Sequence, residues 1–191
     1  MSLAAEALHG IRGAVLLIRR DPGAFDEFNV SADGFWRSFA AILPTALLAW
    51  PFFLSSHQFA AESAQADGKP LPDFGFASDY AYLGLAFVIW PIAAALLAKA
   101  LGVARNYSRY LIAYNWMSVP AMALSLIPHL LYLSGVLGWQ GMILPSLAAF
   151  IGLAYLSWYV ALRGLETTPL IALAFLLADY GLSFTLDALI R

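Results

Sequence analysis

The chain has no cysteine. Disulfides, thiolate metal sites and cysteine nucleophiles are thereby excluded, and redox compartment leaves no mark on the composition. Charge is almost as scarce: Asp, Glu, Lys and Arg make up 12% of the residues against roughly 25% in soluble domains, while 62% are hydrophobic. A water-soluble core does not account for that balance. From Tyr110 to Leu162 there is no Asp, Glu, Lys or Arg at all. A bilayer takes about 20 apolar residues per helix, so this tract holds two spans and a turn. A secretory signal is also missing, because Glu6 precedes any base and Arg12 interrupts the first apolar run. No GxSxG, HExxH, Walker or Rossmann glycine pattern occurs, so the chain reads as non-enzymatic. Nothing in it argues for nucleic acid, and no cofactor or metal is expected.

What remains is an all-α, polytopic membrane bundle: five transmembrane helices preceded by an amphipathic interfacial helix. Residues 1–34 form the amphipathic helix and an acidic linker, and 35–191 the membrane domain. In Ser2 to Arg20, Leu3, Ala7, Leu8, Ile11, Ala14, Val15, Leu17 and Ile18 cover one broad arc, with Glu6, His9, Arg12, Arg19 and Arg20 opposite. Such a helix lies in the membrane interface or docks on its own bundle. Asp21-Pro22-Gly23 ends it, and Phe25 and Phe28 are candidate anchors in the linker. The spans fall at about 35–54, 80–101, 108–134, 139–162 and 168–190. Ser31 or Asp33 is positioned to cap the first, and Ser55 to Ser78 reads as a polar loop after it. The Ser134 to Gly138 turn is short, so the fourth span returns antiparallel beside the third.

Basic residues set the orientation. Arg12, Arg19, Arg20, Arg37, Lys99, Arg105, Arg109 and Arg163 fall on one side, and Lys69 and Arg191 on the other. By the positive-inside rule the amino terminus is cytoplasmic and the carboxyl terminus outside.

The third span, Tyr107 to Gly135, carries the most polar detail. Asn115, Ser118, Ser125 and His129, with Met122 among them, fall within roughly an 80° arc of one helix face. Pro120 and Pro128 interrupt the same run. Asp179 stands near the middle of the fifth span, with Ser183 and Asp187 following at i+4 and i+8. A carboxylate at that depth costs about 2.5–3.5 kcal/mol on insertion scales, so it should face the bundle and find a partner. It reads either as a proton or cation relay or as a carboxyl that fixes helix packing. His57 and His129, both toward the outer side, are weak candidates for haem or metal ligation. Arg105, Tyr107, Arg109 and Tyr110, with Arg19 and Arg20, form a basic and aromatic set suited to anionic lipid heads or a partner.

The layout of a cytoplasmic amphipathic amino terminus, five closely spaced spans and an external carboxyl end, with the entry RYLIAYNWMSVP over Arg109 to Pro120, resembles the Yip (Rab/Ypt-interacting) membrane proteins and their bacterial relatives. The Asp-Leu-Tyr-Gly-Pro motif of the eukaryotic branch is missing here. The resemblance implies a non-enzymatic membrane scaffold, adaptor or accessory subunit in a bacterial inner membrane, binding another membrane protein or a second copy of itself within the bilayer. The alternative is a small transporter or channel subunit with a proton or cation path through Asp179 and the polar face of the third span.

Overall fold

The computed structural model describes residues 2–71, 73 and 75–190; Arg191, counted above among the outer basic residues, lies outside them. Among the described residues there are seven α-helices: α1 (Leu3–Ile18), α2 (Ala32–Ser38), α3 (Ile42–Ala66), α4 (Phe76–Ala100), α5 (Tyr107–Leu133), α6 (Trp139–Gly164) and α7 (Pro169–Ile190). Five segments of the described residues are long and apolar enough to cross a membrane.

The first of these is not one straight helix. Ser31 caps α2 by accepting from the Gly34 amide at 3.1 Å. The chain then passes through a 3-10 turn, Phe39–Ala41, into α3. Pro44 has no N–H to return to the Ala40 carbonyl, and it sits in the first turn of α3, where a missing amide costs least. The polar loop expected from Ser55 is corrected: α3 continues to Ala66. Its last turns, HQFAAESAQA, are poor in large apolar residues but rich in strong helix formers, and propensity carries the helix beyond the apolar run. Asp67 and Lys69 close the turn that follows with a hydrogen bond of 2.9 Å, which raises the lysine above its ordinary pKa.

Helix α1 docks on the bundle along one edge of the broad apolar arc, through Ala14 and Leu17, and along the small and polar residues beside that edge. Its buried residues are Glu6, Gly10, Gly13, Ala14 and Leu17, a single stripe at helical spacing. Leu3 and Leu8 point outward, 50% and 71% exposed. Small residues win the docking face because they permit closer approach: a Cβ on Gly10 would stand 2.4 Å from Cδ2 of Trp116 on α5, and one on Gly13 would stand 2.8 Å from Phe28. Glu6, assigned to the polar side, is buried and accepts from Asn29 Nδ2 at 3.3 Å. The linker supplies the remaining ties. Glu27 receives His9 at 2.8 Å and Arg12 at 3.1 Å, which straps the 3-10 turn Pro22–Glu27 to α1.

Helix α5 is the most enclosed membrane segment: 39% of its most apolar window is buried, against 6% in α6. It runs unbroken through Pro120 and Pro128. Neighbours α3 and α6 flank it; α4 lies beside α3, and α7 packs against both α4 and α6. The five segments therefore close into a ring. One end carries α1 and the α4–α5 and α6–α7 turns; the other carries the α3–α4 connection and the α5–α6 turn. Here they are the near and far ends.

Candidate functional site: a cavity at the centre of the ring

The near end of the ring is closed by aromatic side chains. Tyr110 is 2% exposed, and its hydroxyl accepts from Trp90 Nε1 at 3.2 Å. Phe175 of α7 meets Tyr110 edge-on, centroids 5.3 Å apart. Tyr107 donates to the Pro91 carbonyl at 2.7 Å, and a carbonyl has two lone pairs, so it can accept this hydroxyl in addition to a helix amide. Above this plug lies a cavity of about 290 Å³ to which all five membrane segments contribute, among them Thr45, Tyr82, Tyr114, Ser157 and Asp179.

Among the described residues Asp179 is the sole carboxylate on the cavity wall, and no Lys, Arg or His accompanies it. The Tyr114 hydroxyl donates to its Oδ2 at 2.8 Å, joining α5 to α7 across the ring. The remaining wall is mostly aliphatic and aromatic, with hydroxyls at intervals. On α5, Ser118 donates to the Asn115 carbonyl at 2.6 Å and lies 2.8 Å from Thr45 Oγ1, while Ser125 donates to the Met122 carbonyl at 2.8 Å. Those protons are spent within helices, so the serines offer the cavity oxygen lone pairs more readily than donors.

The residues singled out from sequence separate into groups. Asn115, Ser118, Ser125, Asp179 and Ser183 all line this one cavity, as does Met122. Asn115 also donates to Ser38 Oγ at 2.9 Å, tying α5 to the break between α2 and α3. Asp187 and His129 stand outside the wall. His129 is buried, shares a 3.0 Å hydrogen bond with Ser55 Oγ, and has its ring 4.2 Å from that of Phe52. His57 Nε2 lies 2.7 Å from Oδ2 of Asp79, which is 1% exposed. Each imidazole thus has its own partner on a neighbouring helix. Among the described residues no group of three or more His, Cys, Asp or Glu side chains comes together.

The basic and aromatic patch is corrected in part. Tyr110 is core, and Tyr107 is half-buried and committed to α4. Arg109 pairs with Glu166 and lies 4.1 Å over the Phe25 ring, so it clamps the linker to the α6–α7 turn. Asn106 joins the same clamp, donating to the Leu165 carbonyl at 3.1 Å. Arg19 and Arg105 remain exposed, and Arg20 stands 5.1 Å over the Tyr155 ring.

Three residues escaped sequence reasoning. Tyr114, the partner of Asp179, was indistinguishable from its apolar neighbours, although it lies one position from Asn115. Thr45 entered no pattern because the first span reads as uniformly apolar. Asp79 stood at the edge of the supposed loop, yet it is a buried acid within a membrane-length helix. Comparisons with protein-family models, with curated proteins and with solved structures find no match to this chain.

Proposed function

We propose that this chain is a small membrane carrier or channel subunit whose working part is the central cavity, with Asp179 as the group that takes up a proton or cation. The observation that carries the reading is the lone carboxylate on a wall built by all five spans. A packing carboxyl would be expected in a helix contact, filled by neighbours. Asp179 instead borders open volume and holds one hydrogen bond, from Tyr114. The near end collects Arg12, Arg19, Arg20, Arg105 and Arg109, which supports a cytoplasmic near end in a bacterial inner membrane.

The test is flux. Purified protein in liposomes with an entrapped pH dye should dissipate an imposed proton or cation gradient, and Asp179→Asn should abolish that activity. Flux that is absent in the parent protein, or unchanged in the variant, would refute the reading.

The adaptor implied by the family resemblance is the second reading, and α1 bears on it. Its buried stripe is taken up by α5 and the linker, while Leu3 and Leu8 of the apolar arc stay free to engage a partner. A fixed membrane partner co-purifying in mild detergent, and lost on changing Leu3 and Leu8 to Ser, would favour the adaptor.

A further inference from the structure

We infer that the ligand of the cavity is a monovalent organic cation with an apolar body, a conclusion that rests on the cavity being the working site. Three observations converge. The first is charge: one carboxylate faces the cavity and no basic side chain opposes it, so a single positive charge on the ligand completes the balance. Within a membrane an uncompensated carboxylate is costly, and a cationic guest removes that cost as well as a proton does.

The second is the donor set. An inorganic divalent cation asks for six to eight oxygen ligands, or retains its own water shell. Asp179 has one hydroxyl in hydrogen-bonding contact, that of Tyr114, and the wall's other hydroxyls, among them those of Thr45, Ser157 and Ser183, are neutral and spread over α3, α6 and α7. The hydroxyls of Ser118 and Ser125 are turned into the carbonyls of their own helix. A bare ion would lose its water and gain little. An ammonium whose charge is spread over alkyl groups is weakly hydrated from the start.

The third is the wall itself. Tyr82, Phe87, Trp90 and Tyr114 present aromatic rings on the α4 and α5 sides. Ring faces attract cations, most strongly when both are removed from water. Leu153, Leu182 and Leu186, on α6 and α7, supply aliphatic surface for the apolar part of the guest. The volume of about 290 Å³ lies near the lower limit of small-molecule sites, roughly 300 Å³, which favours a compact ligand.

The probe is radiolabelled benzyltrimethylammonium, added to the full chain in lipid nanodiscs. Saturable binding near one per chain is expected, with displacement by unlabelled probe but not by equal concentrations of sodium or benzenesulfonate. Asp179→Asn should weaken it at least tenfold, Asp179→Glu should retain most of it, and Tyr82→Leu should weaken it about threefold. The selectivity arms use the unaltered protein and stand whether or not a variant folds. No saturable binding, displacement by sodium, or equal binding by the Asn variant would each overturn the inference. Proton flux without probe binding would overturn the ligand class and leave the carrier reading intact. Probe binding without flux of any cation would uphold the ligand class and remove transport.

Discussion

Helix α5 meets its neighbours differently in its two halves. From Tyr110 to Met117 every residue except Tyr114 is buried, and backbones approach closely: Gly10 of α1 sits against Trp116, and a Cβ on Gly164 of α6 would stand 2.8 Å from the Tyr110 backbone. Beyond Met122 the helix exposes Ala123, Leu124, Ile127, Leu130 and Leu131, and its fixed points become polar pairs such as Ser55 with His129. Gly84, Gly152 and Gly181, in the other spans, have open space where a Cβ would go. The near half adds close backbone approach to its hydrogen bonds and the rest relies on sparse polar pairs, with the cavity at the transition. Rigidity at one end and slack beyond it is the arrangement a binding site inside a membrane needs, since a guest must enter without unseating the frame.

The comparison can be broken most forcefully at the tight end. Gly10→Leu should cost about 3 kcal/mol or release α1 altogether, because overpacking an interface that admits no Cβ forces backbone shifts. Thermal melting by circular dichroism in detergent, with protease access to α1, measures both. A variant that melts like the parent with α1 protected would contradict the tight-end picture. Next in size is Asp179→Asn. Removing a charge from the cavity wall should raise stability by about 2 kcal/mol even as flux is lost, since such a charge is costly at that depth. A fall in stability would place Asp179 among the supports of the fold.

Smaller effects sharpen the slack end. A double-mutant cycle of Ser55→Ala and His129→Phe should give a coupling of about 0.6 kcal/mol, the usual size of a hydrogen bond between membrane helices. A coupling near zero would mean that the pair is incidental. Least of all, Gly84→Ala, Gly152→Ala and Gly181→Ala should each be neutral or stabilising, by up to about 0.5 kcal/mol, as each trades backbone freedom for a methyl group that touches nothing. Any clear loss at these positions would reveal contacts with another chain.

The spans were legible because a bilayer imposes a length and a polarity on every helix that crosses it, and the tract from Tyr110 to Leu162 satisfies both twice. Helical periodicity puts Ser118 and Ser125 on one face, the cost of a charge at mid-membrane depth turns Asp179 inward, and all three line the cavity. Periodicity ranks residues by type, however, and the site depends on pairings between distant helices. Tyr114 counts as apolar by composition and acts as a donor by position. The end of α3 was misplaced because apolar character was used to find it, whereas Ala, Gln and Glu sustain a helix after it has left the hydrocarbon region. The docking face of α1 is only partly legible for the opposite reason: hydrophobicity marks Leu3 and Leu8 along with Leu17, whereas Gly10 and Gly13 make the closest approaches beside Leu17.

The seating of α1 on Trp116 also has a consequence in time. Helix α1 precedes its dock by roughly a hundred residues, which at synthesis rates of about 5–20 residues per second is an interval on the order of ten seconds. During that interval the stripe of Glu6, Gly10 and Gly13 faces solvent or lipid without its counterpart, and three membrane crossings must begin before the counterpart exists. Assembly of the near end therefore comes late, and the clamp of Arg109 with Glu166 later still, once the turn after α6 has formed. The best-packed part of the finished protein is among the last parts of it to close.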